Sequence, residues 1–423
     1  GANITGNFVY NNNSSGANEL GNLANLTLIN GTINMNVNLS PVNTIIMSRI
    51  INQTPGGKIN LYNTQGFNLQ NDSLLVDSLN IKYYRGSAYG VLFNNQINGH
   101  LTLADSTNYG GGYYTDIRNN TINGHTSFTV FGTNTFYEAD AGASSNTYNG
   151  NVIFNLKSGA SAYISNQDTS HFNGNVSIIR TAPGYTRVFN SGANITGNFS
   201  YTNNTSGDSD FGSLNTPTHI AGTVNINTNL SPIGGMGIYR IINQTSGGKI
   251  NVYNSRGFNI QSDSLKLDSL NIVSYRGNAF GYLYNNQIEG HVQLADSTSY
   301  GGGYNTSLQN NTITGNSMFR IYGSNTFFEA NGANSQNTFN GNVTMNISGS
   351  AEVYTNYDTK STINGNFTVN RTGNGYSFLF RSGADITGNF NFSKNASGST
   401  NLGNLNYKTS IGGTVNINAT QTT

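Results

Sequence analysis

The chain of 423 residues contains no cysteine and no tryptophan, and it has only 5 prolines. The lack of cysteine excludes disulfides and thiolate metal sites. Charged residues make up only 9% of the chain and the net charge is +1, so there is no electrostatic basis for binding nucleic acid or an anionic membrane. No apolar run approaches the roughly 18 residues that a membrane-spanning helix needs, so we expect no membrane span in this chain.

The start of the chain also lacks the basic segment and apolar segment of a signal peptide. A repeated motif is already under way at residue 1. We therefore expect these residues to be a mature segment or a fragment of a longer chain.

The residue types that are present indicate an all-β protein. The chain has 75 Asn, 52 Gly, 25 Tyr and 22 Phe. Its polarity is carried by Asn, Ser, Thr and Gly, with Ile, Val, Phe and Tyr between them, which is typical of β-strands and tight turns.

One motif of eight residues occurs three times. GANITGNF begins at residues 1 and 192, and GADITGNF begins at residue 383, so each step is 191 residues. Other segments keep the same offset, for example LADST at 103–107 and 294–298. We predict two full copies at 1–191 and 192–382, the start of a third at 383–423, and one continuous solenoid.

A shorter motif with a central Gly recurs inside each copy. Examples are ITGNFVY at 4–10, INGTINM at 29–35, INGHLTL at 97–103 and FNGNVSI at 172–178. Successive motifs lie 20 to 26 residues apart and eight of them make one long repeat. This period predicts a parallel β-helix, or β-solenoid, in which each motif marks one coil.

Apolar and polar residues alternate strictly in these motifs. Ile33, Met35 and Val37 alternate with Asn residues, so we expect them to point inward from one strand that begins near Ile29. We expect the motif Gly to lie inside, where the lumen is too narrow for a side chain. Asn at equivalent positions of successive coils is expected to form ladders of side-chain amides.

The acidic residues do not form an obvious catalytic pair. Those present in both copies are Asp72/Asp263, Asp77/Asp268, Asp105/Asp296 and Glu138/Glu329, and they are spread over several coils. A glycosidase needs two carboxyl groups within roughly 5–10 Å. His100 and His125 could stack and bind a metal, but the second copy has His291 and Asn316 instead. We predict no catalytic, cofactor-binding or metal-binding residue.

The most distinctive insertion is LADSTNYGGGYY at 103–114, with LADSTSYGGGYN at 294–305 in the second copy. Tyr side chains and a carboxylate can stack on and hydrogen-bond a glycan or a protein partner. The candidate contact residues are Asp105, Tyr109, Tyr113, Asp296, Tyr300 and Tyr304. The alternative is a compact loop whose Tyr residues cover the side of the solenoid.

The motifs ITGNF, INGNFTV and FNGNVSI, on a chain without Cys and rich in Asn and Gly, resemble the passenger domains of bacterial autotransporters. The resemblance is to the vacuolating-cytotoxin-like group of large surface proteins. It implies secretion across the outer membrane, a right-handed β-helix and an adhesive or colonisation role at the cell surface.

The sequence therefore favours an extracellular structural or adhesive rod that displays loops for attachment. Its partners would be cell-surface glycans or proteins, or further copies of itself. Two alternatives stay open, which are a β-helical polysaccharide-processing enzyme and a subunit of a self-assembling surface filament.

Overall fold

The strands of this protein run parallel to one another and stack coil upon coil. In the computed structural model the chain is all-β, with three parallel sheets that form a β-solenoid of about 15 turns and about 24 residues per turn. This confirms the predicted fold class and coil length. The structure describes residues 1–12, 16, 18–37, 42–83, 89–105, 114–228, 233–274, 280–296 and 305–420.

The chain divides into two compact units. The first unit comprises Gly1–Gly207 and Phe211–Gly222, and the second comprises Asp208–Asp210 and Thr223–Thr423. Each coil contributes one strand to each of three sheets. The chain passes through sheet 1 just before the motif Gly, sheet 2 just after it, and then sheet 3.

In the first unit, sheet 1 consists of Asn3–Ile4, Thr27–Ile29, Ile50–Asn52, Ser73–Leu74, Gln96–Ile97, Thr121–Ile122, Thr147–Tyr148, Ser170–Phe172, Ala193–Ile195 and Thr218–Ile220. Sheet 2 consists of Phe8–Asn11, Ile33–Asn36, the first part of Lys58–Gln70, Ser78–Tyr83, His100–Asp105, Thr126–Val130, Val152–Leu156, Val176–Arg180 and Phe199–Asn203. Sheet 3 consists of Asn18–Gly21, Val42–Ser48, the second part of Lys58–Gln70, Gly90–Phe93, Tyr114–Arg118, Thr135–Glu138, Ser161–Ile164, Thr186–Val188 and the end of Ser209–Gly212.

In the second unit, sheet 1 consists of Ile241–Asn243, Ser264–Leu265, Gln287–Ile288, Thr312–Ile313, Thr338–Phe339, Ser361–Ile363, Ala384–Ile386 and Ser410–Ile411. Sheet 2 consists of Val224–Asn227, the first part of Gly248–Gln261, Ser269–Ser274, His291–Asp296, Ser317–Ile321, Val343–Ile347, Phe367–Arg371, Phe390–Asn395 and Val415–Thr420. Sheet 3 consists of Ile233–Tyr239, the second part of Gly248–Gln261, Gly281–Tyr284, Asn305–Gln309, Thr326–Glu329, Glu352–Tyr354, Ser377–Leu379 and Thr400–Leu402.

The strand register follows the motif spacing with one exception. Leu101 pairs with Thr126, and Thr126 pairs with Val152, as the motif Gly positions predict. The exception is the motif GGKINLY. Alignment of Gly57 with Gly31 would pair Lys58 with Thr32, but Lys58 pairs with Asn34, two residues further along the strand. A shift of two residues leaves the inward and outward faces unchanged.

The core lies between the three sheets and follows the predicted alternation. Ile33, Met35 and Val37 are buried, as are the equivalent apolar residues of later coils. The strand they were expected to share does not extend back to Ile29, however. The chain bends between Ile29 in sheet 1 and Ile33 in sheet 2, so the short motif spans a corner between two sheets.

The role of the motif Gly also differs from the prediction. Gly150 is half-buried at this corner. A Cβ placed on it would lie 2.5 Å from the carbonyl oxygen of Gly124 in the preceding coil. A side chain is excluded here by the backbone of the neighbouring coil. The predicted reason, a narrow lumen, is wrong.

Candidate contact face on sheet 3

The predicted contact loops fall largely outside the described residues. Tyr109, Tyr113, Tyr300 and Tyr304 lie there, so their prediction stays a prediction. Asp105 and Asp296 end strands of sheet 2, where their backbones pair with residues 83 and 274 of the preceding coils. Of the six candidate contact residues, the structure therefore describes only the backbones of Asp105 and Asp296.

Two exposed tyrosines lie at the start of neighbouring strands of sheet 3. Tyr89 directly follows residues 84–88, and Tyr114 directly follows residues 106–113. Their side chains are 55% and 40% exposed, and their ring centroids are 4.4 Å apart. Exposed aromatic pairs of this kind combine a large apolar area with a hydroxyl group that can hydrogen-bond a partner.

These rings continue into a larger group on the outer surface of sheet 3. Tyr114 contacts Tyr137 edge-to-face at 6.0 Å, and Tyr137 stacks on Tyr163 at 5.1 Å with an interplanar angle of 18°. Tyr185 continues the row, 5.8 Å from Tyr163. We call these five residues the aromatic face of the first copy. Adjacent parallel strands are about 4.8 Å apart, so outward side chains of consecutive coils meet ring to ring.

The second copy carries an equivalent face. The residues 191 positions after Tyr89, Tyr137, Tyr163 and Tyr185 are Phe280, Phe328, Tyr354 and Tyr376. Phe328 stacks on Tyr354 at 5.1 Å, Tyr354 lies 5.8 Å from Tyr376, and Phe280 is 51% exposed beside Tyr282. Asn305 takes the place of Tyr114. Aromatic character is thus present in both copies at four of the five positions.

The charge on the face differs between the copies. In the first copy, Arg118 pairs with Asp116 at 2.9 Å beside the tyrosines. Burial raises the pKa of Asp116 to about 6, although the charge of Arg118 opposes this shift. The equivalent residues of the second copy are Ser307 and Gln309. The second copy carries Glu352 instead, whose carboxylate accepts a hydrogen bond from the Tyr354 hydroxyl at 3.1 Å. The chemistry that the two faces share is therefore the row of aromatic rings.

The residues of this face are far apart in the sequence, so no single motif or loop contains them. Tyr89, Tyr114, Tyr137, Tyr163 and Tyr185 are separated by 25, 23, 26 and 22 residues. These spacings equal the coil period, so a search for aromatic residues at that period would have found them.

The acidic residues present in both copies lie elsewhere, and Glu138 is fully buried. Its carboxylate accepts hydrogen bonds from Asn146 Nδ2 at 2.6 Å, from Ser170 Oγ at 2.6 Å and from the backbone N–H of Ser165 at 2.7 Å. Burial raises the pKa of Glu138, while these hydrogen bonds oppose the shift. Glu329 has an equivalent set of three donors, namely Asn337, Ser361 and the backbone of Asn356. Both glutamates act as internal acceptors that join consecutive coils.

A buried ladder runs beside Glu138 at the corner between sheets 3 and 1. Its members are Asp72, Asn95, Asn120, Asn146 and Ser170, and in the second copy Asp263, Asn286, Asn311, Asn337 and Ser361. Each side-chain oxygen accepts the backbone N–H of the preceding member, as between Asn95 Oδ1 and Asp72 N at 2.9 Å. Asp72 in turn accepts from the N–H of Ile50 at 2.8 Å. The predicted asparagine ladders are confirmed at this corner.

The two histidines belong to an exposed ladder. The rings of His100 and His125 stack at 5.3 Å with an interplanar angle of 9°. The Nδ1 of His100 accepts the backbone N–H of His125, and the Nδ1 of His125 accepts the N–H of Asn151. Within the described ranges, no group of three or more His, Cys, Asp or Glu could hold a metal ion.

No family model, curated protein or solved structure matches this chain. Among the residues that the structure describes, no helix is long and apolar enough to cross a membrane.

Proposed function

We propose that the chain is part of an extracellular structural and adhesive rod of a cell-surface protein or filament. In this proposal the aromatic faces and the loops beside them are the sites of attachment to a host, a surface or neighbouring cells. The observation that supports it best is the recurrence of an exposed aromatic face in both copies. Aromatic side chains are enriched in binding interfaces, where they contribute much of the binding energy.

The partners that suit this face are neutral glycans or protein surfaces. Tyr89 and Tyr114 offer ring area and hydroxyl groups, and the second copy has Ser307 and Gln309 in place of the ion pair between Asp116 and Arg118. A strongly charged partner would find little complementary charge on a chain with a net charge of +1. Two faces on one chain would bind with avidity, because the second contact becomes intramolecular.

The resemblance to autotransporter passenger domains supports the same proposal. It rests on the motifs ITGNF and FNGNVSI and on a composition without Cys. We therefore propose the outer surface of a bacterial cell as the place where the chain acts.

The adhesive proposal is tested by binding assays on intact host cells and on arrays of neutral glycans and extracellular proteins. We expect the double variant Tyr89→Ala/Tyr114→Ala to lose at least about ten-fold in binding, as removal of an aromatic hot spot does. Ile153→Ala is the matched control, because Ile153 is an exposed apolar residue on the outer surface of sheet 2. Equal binding by all three proteins, or an equal loss in the control, would refute the role of the face.

A further inference from the structure

A row of asparagines follows the motif Gly on the outer surface of the solenoid. It includes Asn151, Asn175 and Asn198 in the first unit, and Asn316, Asn342, Asn366 and Asn389 in the second. We call it the outer asparagine row. For all of these except Asn198, the side-chain oxygen accepts a backbone N–H from the next coil, as Asn175 Oδ1 does from the N–H of Asn198 at 2.8 Å. Asn342 Oδ1 does the same for the N–H of Asn366 at 2.9 Å.

The side-chain nitrogens of two of these asparagines make no hydrogen bond. Within the described residues, Nδ2 of Asn175 and Nδ2 of Asn342 donate no hydrogen bond, and both residues are exposed. The structure thus uses Oδ1 and leaves Nδ2 without a structural role.

Both asparagines begin an N-x-Ser/Thr triplet. The triplets are Asn175-Val176-Ser177 and Asn342-Val343-Thr344. In each one the middle Val is buried, so the alternation of the strand places the amide and the hydroxyl on the same outward surface. N-x-Ser/Thr is the acceptor sequence for N-linked glycosylation.

We propose that the outer asparagine row is a site of N-linked glycan attachment, with Asn175 and Asn342 as its principal acceptors. The reaction forms a bond between Nδ2 and the anomeric carbon of an activated sugar diphosphate. It breaks the bond from that carbon to the diphosphate, which departs as the leaving group, and one Nδ2 proton is lost to solvent. Oδ1 stays a carbonyl oxygen, so the hydrogen bond to the next coil is kept.

Asn52 and Asn119 begin triplets that lack these properties. Asn52 of Asn52-Gln53-Thr54 is buried, and its Nδ2 donates to the carbonyl of Ile29 at 2.9 Å and to that of Gly31. Nδ2 of Asn119, in Asn119-Asn120-Thr121, donates to Asn94 Oδ1 at 3.0 Å. A sugar on Nδ2 would remove a hydrogen of these donors, and at Asn52 it would also have to enter the core.

The spacing of the row limits how many sugars it carries. Asn198 and Asn366 also begin N-x-Ser/Thr triplets, and each lies one coil after a principal acceptor. Adjacent coils are about 4.8 Å apart, which is comparable to the width of one sugar ring. We therefore expect one glycan for each adjacent pair, Asn175/Asn198 and Asn342/Asn366.

The test is site-by-site occupancy, measured by peptide mass spectrometry after secretion of the full chain from a eukaryotic host that glycosylates N-x-Ser/Thr. We expect occupancy of Asn175 and Asn342 to exceed that of Asn52 and Asn119 at least ten-fold in the folded fraction. If the chain is not secreted, the folded protein is incubated with a soluble asparagine glycosyltransferase and its nucleotide-activated sugar, and the same peptides are measured.

Ser177→Ala and Thr344→Ala are matched variants that remove the acceptor triplet and keep the asparagine. We expect them to lose the sugar at the affected site while the melting temperature of the unglycosylated protein stays unchanged. Empty Asn175 and Asn342 beside occupied triplets elsewhere, or equal occupancy of Asn52, would overturn the proposal. The aromatic faces play no part in this outcome, so it is separate from the test of adhesion.

Discussion

At the residue scale, single side chains determine whether one coil can lie on the next. Asn is abundant because its oxygen accepts a backbone N–H of the neighbouring coil, as at Asn95 and Asn175. It is also frequent at corners, where Asn94 and Asn119 have φ values of 55°. Asn tolerates this left-handed conformation better than most residues do. Where the backbones of adjacent coils lie this close at a corner, a larger side chain does not fit.

The first prediction concerns Gly150, whose hypothetical Cβ would lie 2.5 Å from the backbone of Gly124. We expect Gly150→Ala to lower the free energy of unfolding by about 1–3 kcal/mol, as overpacking does. Denaturant unfolding measures this change. Gly142→Ala is the control, because nothing lies within 4 Å of a Cβ built there. Equal effects of the two substitutions would contradict the close approach of adjacent coils at Gly150.

A second prediction concerns the pH dependence of stability through Asp72. Burial raises the pKa of Asp72 from 3.8 to about 7, and within the described structure its Oδ2 has no hydrogen-bond partner. The folded chain therefore holds this proton more tightly than the unfolded chain does. The resulting stability is fully present below about pH 4 and is lost as the pH rises to about 7. Burial also raises the pKa of Asp263, so both carboxyl groups act in the same direction.

We expect Asp72→Asn/Asp263→Asn to raise the melting temperature at pH 8 and to change it little at pH 4. The amide keeps an oxygen that can accept the N–H of Ile50, and it carries no charge in the core. Melting curves between pH 4 and pH 8 measure the effect. The control is Asp385→Asn, which removes an exposed carboxylate paired with Lys360 at 2.6 Å. A double variant with the same pH dependence as the parent protein would show that these carboxyl groups do not titrate in this way.

At the scale of the strand and the corner, the sequence predicts alternation better than it predicts bends. The inward positions of Ile33, Met35 and Val37 follow from period two, because one side of each strand faces the core. The corner inside the motif could not be predicted in this way. Residues on both sides of the bend at residues 30–32 point inward, so the alternating pattern continues across it.

The aromatic face shows a second limit of the sequence analysis. Tyr137 and Tyr163 are 26 residues apart in the chain and become neighbours only when the coil length is known for that turn. The coil lengths vary, so outward contacts require the register of each strand pair. Glu138 shows another limit, because the sequence alone does not tell whether an acidic residue present in both copies lies on the surface or in the core. It lies in the core, where its hydrogen-bond donors offset the cost of burial.

At the scale of the whole molecule, the 191-residue repeat reproduces specific side-chain contacts as well as the order of the strands. Both copies contain a buried glutamate that accepts hydrogen bonds from an Asn, a Ser and a backbone N–H, a buried ladder that begins at an aspartate, and an outer aromatic face. Each of these features depends on contacts between residues one coil apart. Both the fold and these contacts therefore require equivalent residues of consecutive coils to lie side by side in parallel register.

Paired cysteine substitutions can measure this side-by-side arrangement, because the chain contains no cysteine that could interfere. Asn123 and Asn149 lie on consecutive coils, and Asn149 Nδ2 donates to Asn123 Oδ1 at 2.6 Å. Neighbouring strands are about 4.8 Å apart, which falls within the distance that a disulfide spans. Asn123 and Asn173 lie two coils apart, at about twice that distance, which exceeds the limit of roughly 7 Å.

We expect Asn123→Cys/Asn149→Cys to form an intramolecular disulfide on mild oxidation and Asn123→Cys/Asn173→Cys to form none, as measured by peptide mass spectrometry. Failure of the first pair to cross-link, or equal cross-linking of both pairs, would contradict the parallel stacking of coils.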